Sequence, residues 1–328
     1  MSQHHAIRIH AHGGPEQLRY EAVEVGDPGP GEARVRHTAI GLNFTDVHHR
    51  TGRYPVAQLP QVIGMEAAGV IEALGSGTPP ELAVGDRVAY ASEKPRSYAQ
   101  ATVMPTTRLV KLPASLADDT AAALILKGLT AQYLIRSTYR VKADDTILIQ
   151  AAAGGVGLIM CQWAKSLGAT VIGTVSTDAK AALARAHGCE HPIVYTREDV
   201  VKRVREITNG VGLPVVYDGV GASTMETSLA CLQRRGLLVS YGSAGGVPPP
   251  LELFRLNRMG SLYLTSAGLS DYIHDRSEML QRAEEIFAAV ASGAVRVDIN
   301  QRYPLAEAAR AHRDLEARLT SGSSILVP

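Results

Sequence analysis

The most constraining segment of the chain runs from Thr146 to Leu158, where an apolar stretch leads through a cluster of small residues into an apolar helix. Glycines in such a cluster let backbone N–H groups approach phosphates, and the helix dipole favours the anion. The segment is therefore typical of a loop that binds a dinucleotide pyrophosphate. Its G-x-G-x-x-G fingerprint is incomplete, because Ala152 occupies the first position while Gly154 and Gly157 occupy the other two.

The residues after this loop complete a βαβ unit of the expected length. A helix is predicted from Leu158 to Leu167 with Gly168 as its stop, followed by a buried β-branched strand from Ala169 to Val175. Two alternatives are a pair of buried helices joined by a glycine-rich loop and a membrane span. The glycine cluster interrupts the apolar run and strand signals flank it, so the pattern favours a nicotinamide-dependent enzyme.

The alternation of strands and helices continues downstream and predicts a doubly wound parallel sheet. The predicted helices cover residues 178–187, 198–208 and 224–235, and the predicted strands cover 192–195, 215–218 and 237–241. A last strand at 261–265 lacks Lys, Pro or any other feature that protects an exposed edge. We therefore expect it to pair with a second copy of the chain in a homodimer.

The chain before about residue 125 has a different pattern, with short extended segments at 33–39, 69–73, 87–90 and 108–111 separated by turns. This pattern predicts a mostly β module. After Gly268 the chain adds helices near 277–292 and 305–319 and a strand at 324–327, which are too small to form a core alone. We expect three segments: 1–125 in the first module, 126–267 in the cofactor domain, and 268–328 returning to the first module.

Composition narrows the function classes. The 328 residues are 45% hydrophobic with a net charge of +1, which gives a globular chain without a basic field for nucleic acid. Cys161, Cys189 and Cys231 form neither a disulfide framework nor a C-x-x-C pair, as suits a reducing cytoplasm. The N-terminal residues lack the apolar core of a secretory signal. The composition predicts a cytoplasmic protein without membrane association.

Seven short motifs occur in this order along the chain: 41–46 (GLNFTD), 64–69 (GMEAAG), 85–88 (GDRV), 126–131 (LKGLTA), 151–157 (AAAGGVG), 216–218 (VYD) and 233–236 (QRRG). With these motifs the chain resembles the medium-chain dehydrogenase/reductase superfamily, and within it the zinc-free quinone oxidoreductases of the zeta-crystallin type. The resemblance covers essentially the whole sequence. It implies a GroES-like, mostly β catalytic domain, a Rossmann domain, and a nicotinamide bound in the cleft between them.

The resemblance also implies the catalytic residues. Asn43, Asp46 and Tyr54 would line the cleft near the nicotinamide, and Lys127 would lie at the domain junction. Asp46 and Lys127 have an alternative role as structural polar residues in buried hydrogen bonds. No unambiguous proton donor emerges, and His48 stands where the family often carries Tyr.

A zinc site is not expected. Zinc dehydrogenases of the superfamily use thiolate and imidazole ligands, but Asn43 replaces the early Cys and Met65 replaces the His before Glu66. The cysteine-rich lobe is missing as well. The neighbouring histidines His48 and His49 are expected to diverge. Because a quinone delocalises the arriving charge into its own ring, it needs positioning more than a Lewis acid.

The segment after the second strand predicts NADPH as the cofactor. NAD-preferring folds carry a carboxylate there, whereas this chain has Ser176 and Thr177 followed by Lys180, which suit a 2′-phosphate. Asp178 is interpreted as the N-cap of the next helix. The predicted cofactor contacts, several of them implied only by the resemblance, are Asn43, Thr130, Gly154, Gly155, Val156, Gly157, Ser176, Lys180, Tyr195, Tyr241 and Arg318.

These expectations describe an NADPH-dependent quinone oxidoreductase. Reduction of the activated double bond of an enal or enone is the alternative, since it would use the same cofactor and the same zinc-free cleft. Some members of the family bind AU-rich RNA, but three Phe and one Trp leave few aromatics for base stacking. The basic patches at Arg234–Arg235 and 202–205 are typical of solvated faces.

Overall fold

The computed structural model describes residues 2–328, which divide into two compact units. Unit 1 contains the chain up to Lys127, Asp275–Phe287 and Val297–Pro328. Unit 2 contains Gly128–His274 and Ala288–Arg296. None of the helices within residues 2–328 has the length and apolar character needed to span a bilayer.

The strands are β1 (Ser2–Ile9), β2 (Arg19–Val25), β3 (Glu32–Leu42), β4 (Gln61–Val62), β5 (Glu66–Leu74), β6 (Arg87–Ala91), β7 (Ala101–Pro105), β8 (Val110–Lys111), β9 (Thr146–Ile149), β10 (Thr170–Val175), β11 (His191–Val194), β12 (Leu213–Asp218), β13 (Leu232–Ser240), β14 (Tyr263–Ser266), β15 (Ile299–Pro304) and β16 (Ser323–Val327). The α-helices are α1 (Phe44–Thr51), α2 (Asp118–Tyr133), α3 (Gly155–Ser166), α4 (Asp178–Ala186), α5 (Val200–Ile207), α6 (Met225–Ala230), α7 (Leu253–Arg258), α8 (Leu269–Tyr272), α9 (Arg276–Ala291) and α10 (Ala308–Glu316).

Unit 2 is built on a parallel sheet with the strand order β11-β10-β9-β12-β13-β14. In chain order this is 3-2-1-4-5-6, the order of a Rossmann sheet. Buried aliphatic side chains from five of these strands share one core: Leu148, Ile172, Ile193, Val216 and Leu238. The predicted doubly wound sheet is therefore confirmed.

Two predicted elements of unit 2 were wrong in detail. The helix expected over 224–235 ends at Ala230, because Leu232 already pairs with Leu213 of β12 and Arg235 adopts a left-handed φ of 59°. The strand expected at 261–265 begins only at Tyr263, since Ser261 also has a left-handed φ of 56°. Strand β14 nevertheless forms the edge of the sheet.

Unit 1 is mostly β, as predicted. Its larger sheet has the order β15-β16-β3-β5-β6-β8, with β7 also paired to β3, and a smaller sheet contains β2, β1 and β4. The C-terminal strand β16 pairs antiparallel with β3, so Ser324 lies opposite Leu42. A short helix, α1, follows β3 within this mostly β unit because Asn43 and Asp46 occupy the N-cap and N3 positions of a capping motif.

Candidate functional site

The loop between β9 and α3 in unit 2 is held by the neighbouring strand. Ala151 has a left-handed φ of 55°, and its N–H donates to Thr174 Oγ1 at 3.2 Å. The next N–H, of Ala152, donates to the carbonyl of Thr174 at 3.0 Å. These contacts fix the turn although its first fingerprint position is alanine.

The N-terminus of α3 presents backbone donors. Its N-cap is Gly154, which has no side chain to cap the N–H groups of Gly155, Val156 and Gly157. A Cβ on Gly157 would lie 2.5 Å from the carbonyl oxygen of Ala151, so glycine is required for the close approach of helix and turn. The four residues therefore form a backbone cradle for an anionic group, since the helix dipole acts in the same direction.

The end of β10 differs from the prediction in one respect. The N-cap of α4 is Thr177, whose hydroxyl accepts from the backbone N–H of Lys180 at 3.2 Å, and not Asp178. Asp178 instead forms a two-point ion pair with Arg197, at 2.7 and 2.5 Å. This pair lowers the pKa of Asp178 and neutralises its charge beside Ser176.

Three further predicted site residues of unit 2 are Tyr195, Tyr241 and Thr130. Tyr195 follows β11 and is 42% exposed, and Tyr241 follows β13 with its N–H donating to the Asp218 carbonyl at 2.9 Å. Together with Ser176 after β10 and the glycine loop after β9, they lie at the carboxyl edge of the parallel sheet. Ligands of open α/β sheets bind at this edge. Thr130 is buried in α2.

In unit 1 a buried carboxylate gathers two of the predicted catalytic residues. Glu66 is 0% exposed, and its Oε1 accepts from Asn43 Nδ2 at 2.8 Å and from Lys127 Nζ at 2.5 Å. Its Oε2 accepts from the backbone N–H of Leu126 at 2.8 Å. Glu66 lies in the motif 64–69, but no local sequence pattern indicates that it would hold both side chains.

Asp46 is the end of a second buried chain of hydrogen bonds. Its Oδ2 accepts from the Asn43 N–H at 2.8 Å and from the Tyr98 hydroxyl at 3.0 Å, and Tyr98 contacts His312 Nε2 at 3.1 Å. His312 Nδ1 lies 3.1 Å from the Arg50 guanidinium, which donates to Glu316 through two bonds of 2.8 Å.

The donor and acceptor roles along this series of hydrogen bonds follow from Arg50. A guanidinium has only donors, so His312 Nδ1 accepts, its ring proton lies on Nε2, and Tyr98 donates onward to Asp46. Burial, reinforced by the Arg50 charge, lowers the pKa of His312 to about 3 and keeps the ring neutral. Burial raises the pKa of Asp46 to about 7, partly offset by the bonds from Asn43 and Tyr98.

The histidines of α1 do not diverge as expected. The rings of His48 and His49 both lie edge-on to Tyr54, with centroid distances of 4.9 and 5.7 Å. Burial lowers the pKa of His48 to about 4, with Arg53 and His49 adding to the effect. Tyr54 itself is 38% exposed, so α1 presents one partly open aromatic side chain. Arg318, exposed after α10, is the other predicted site residue of unit 1.

Comparison with known proteins identifies the family. A model described as the alcohol dehydrogenase GroES-like domain matches residues 29–141, and one described as zinc-binding dehydrogenase matches residues 155–285. The quinone oxidoreductase of Pseudomonas aeruginosa is 49% identical over 322 residues, covering 98% of this chain and 99% of the relative. This chain belongs to the quinone oxidoreductases of the medium-chain dehydrogenase/reductase superfamily.

Two further members of this superfamily are similar over their full length. The crystal structure of Escherichia coli quinone oxidoreductase complexed with NADPH matches with a TM-score of 0.97 and 46% identity, covering 100% of both chains. A 2-haloacrylate reductase of Burkholderia sp. is 45% identical over 329 residues, covering 98% of this chain and 98% of the relative.

The residues of this quinone oxidoreductase do not fit a superfamily zinc site. Asn43 and Met65 offer neither thiolate nor imidazole, and the Glu66 carboxylate is already paired with the Lys127 ammonium. Within residues 2–328 no three His, Cys, Asp or Glu side chains are grouped so that they could hold a metal ion. Zinc-independent activity stays a prediction.

Proposed function

We propose that this oxidoreductase reduces quinones with NADPH, without a metal. Its relatives from Pseudomonas aeruginosa and Escherichia coli carry the name quinone oxidoreductase, and the latter is complexed with NADPH. When bound, NADPH supplies the hydride. The protein's part is to hold the cofactor, to orient the quinone and to stabilise the negative charge that arrives with the hydride.

The strongest support for this proposal is the set of polar groups at the carboxyl edge of the unit 2 sheet. The N–H groups of Gly155, Val156 and Gly157 would hold the pyrophosphate, while Ser176 and Lys180 would hold the 2′-phosphate. The Arg197–Asp178 pair removes the carboxylate repulsion that would disfavour that phosphate. Tyr195 and Tyr241 would flank the cofactor from neighbouring strand ends, and Asn43, Thr130 and Arg318 complete the predicted contacts.

The direct experiment measures turnover with NADPH and with NADH across a panel of quinones and activated alkenes. The expected result is a preference for NADPH and for quinones that survives treatment with a chelator. Faster turnover of enones would support the second candidate, reduction of an activated double bond, which the similarity to 2-haloacrylate reductase favours. Loss of activity on chelation, restored by zinc, would contradict the metal-free assignment.

We also infer a homodimer formed through the edge strand β14. Its residues Tyr263 and Leu264 are 61% and 38% exposed, and Leu253 and Phe254 of α7 are exposed as well. An apolar strand edge of this kind is usually covered by a partner. Sedimentation at micromolar concentration should give twice the chain mass, and Leu264→Lys should give the monomer.

The three free, buried cysteines suit the cytoplasmic location predicted from the sequence.

A further inference from the structure

Glu66 occupies a place in the fold that is built around its carboxylate. It begins β5 opposite Gly41 of β3. A Cβ on Gly41 would lie 2.2 Å from Glu66 Oε1 and 2.4 Å from the Ala122 carbonyl oxygen. The sheet therefore has room for the carboxylate only because residue 41 has no side chain.

The carboxylate is the ion-pair partner of a buried lysine. The Lys127 side chain is 6% exposed and the Glu66 side chain 0%. The other titratable groups that face the pair are Asp46 and Tyr98, with Arg50 also acting on Tyr98. Asp46 changes its charge near neutral pH, and Tyr98 stays neutral because burial raises its pKa. Glu66 is thus the carboxylate that is ion-paired with Lys127.

We propose that Glu66 is the positioning residue of the reaction: it keeps Lys127 as an ammonium ion and fixes the Asn43 amide beside it. This inference rests on the proposed function. Hydride transfer adds two electrons and one hydrogen to the quinone and leaves an oxyanion. The Lys127 ammonium stabilises that oxyanion and donates a proton to it, which gives the hydroquinone, and the amine then regains a proton from water.

Glu66→Gln tests the charge while keeping the shape. Without the carboxylate, a buried lysine loses its counter-charge, and burial then lowers its pKa. NMR of ¹⁵N-lysine-labelled protein, with Lys127 assigned from the Lys127→Arg spectrum, should show the Nζ signal of an ammonium ion in the native chain and a signal that moves with pH in Glu66→Gln. A Lys127 that stays protonated in the variant would overturn the proposal.

Activity supplies the second readout. In Glu66→Gln, kcat at pH 8.5 should fall by at least about tenfold and recover at lower pH, while KM for NADPH changes little. Asp46→Asn in both backgrounds removes the titration of Asp46 from the profiles. The double variant Glu66→Gln/Lys127→Met should be no slower than Lys127→Met alone, because glutamine keeps an acceptor for Asn43 and the carboxylate charge acts through Lys127. Additive losses would overturn the proposal.

Glu72→Gln is the matched control on the same strand, since Glu72 is partly exposed and pairs with Arg36 at 3.1 Å. It should behave like the native chain. If Glu66→Gln does not fold, Glu66→Asp replaces it: the Lys127 Nζ signal should match that of the native chain, and kcat should fall because the shorter side chain releases Asn43. An unchanged kcat in Glu66→Asp would refute the positioning role. If the native chain reduces no quinone, the proposed function fails, while the NMR result still decides whether Glu66 sets the charge of Lys127.

Discussion

The predicted site residues of unit 1 and those of unit 2 are held in opposite ways. Around Glu66 and Asp46, buried side chains are partnered by other side chains, from Lys127 through to Arg50. At the carboxyl edge of unit 2, the predicted site residues are backbone N–H groups at the N-terminus of α3 and partly or fully exposed side chains. The side chains of the first arrangement are satisfied by protein partners, so substitutions there should change stability, in addition to the effect of Glu66 on turnover proposed above. The second arrangement is the proposed cofactor site, so substitutions there should change affinity.

The largest expected effect is that of Arg50→Met. Arg50 is 1% exposed and donates to Glu316, to His312 and to the carbonyl of Gly13. Removing one partner of a buried ion pair costs about 3 to 5 kcal/mol, and the lower end applies here because Glu316 keeps part of its hydration. Urea denaturation followed by circular dichroism measures the loss.

Arg310→Met is the matched control for this prediction. Arg310 pairs with Glu307 at 3.0 Å, but both side chains are largely exposed, and such pairs contribute about 0 to 1 kcal/mol. Equal losses for the two variants would remove the distinction between the buried and the exposed charges of unit 1.

Asp46→Asn should stabilise the protein relative to the native chain, and this difference should grow as the pH rises. The folded pKa of Asp46 is about 7, above its unfolded value, so between pH 4 and 7 the folded chain binds the extra proton and stability falls with rising pH. Asparagine removes that loss. The difference in unfolding free energy should be near zero at pH 4, reach a few kcal/mol at pH 7, and stay flat above it.

Urea titrations of both proteins at several pH values give this difference. His37, His48 and His312 have pKa values lowered to about 4, 4 and 3, so they lower stability as the pH falls below 6.5. They are present in both proteins and cancel in the difference. A difference independent of pH would mean that Asp46 is ionised in the folded chain throughout.

The contrast between the units also explains how far the sequence could be interpreted. The glycine loop, the alternation of strands and helices and the hydroxyls after β10 are local in sequence, so period and spacing predict them. The contact between Tyr98 and His312 joins residues 214 positions apart, and that between Lys127 and Glu66 joins residues 61 apart. No local pattern carries such pairs, because sheet packing brings them together. Asp178 is a different case, because the neighbouring Thr177 takes the N-cap position and leaves Asp178 to pair with Arg197.

Lys180→Ala tests the affinity side of the comparison. If the Lys180 ammonium pairs with the 2′-phosphate, the NADPH dissociation constant should rise by about one to two powers of ten, because charge-assisted hydrogen bonds are worth roughly 1.5 to 3 kcal/mol. NADH binding and turnover at saturating NADPH should be retained, since the adenosine end supplies uniform binding. Fluorescence titration with both cofactors measures this. Equal weakening of NADPH and NADH binding would indicate a structural role for Lys180. No change for either cofactor would indicate that Ser176 or Tyr195 determines the preference for NADPH.

The smallest effect is expected for Arg197→Ala, and it tests whether the exposed pair with Asp178 acts on the ligand at all. Both side chains are more than half exposed, so the fold should be unaffected and the melting temperature should stay within error. The carboxylate of Asp178 would lose its partner and repel the 2′-phosphate, which should weaken NADPH binding a few-fold, more at low salt than at high salt because exposed charges are screened. NADH binding should not change. The double variant Arg197→Ala/Asp178→Ala should restore NADPH affinity, since it removes the repelling charge together with its partner. If the double variant stayed weak, Arg197 itself would contact the cofactor, and the neutralising role of the pair would be wrong.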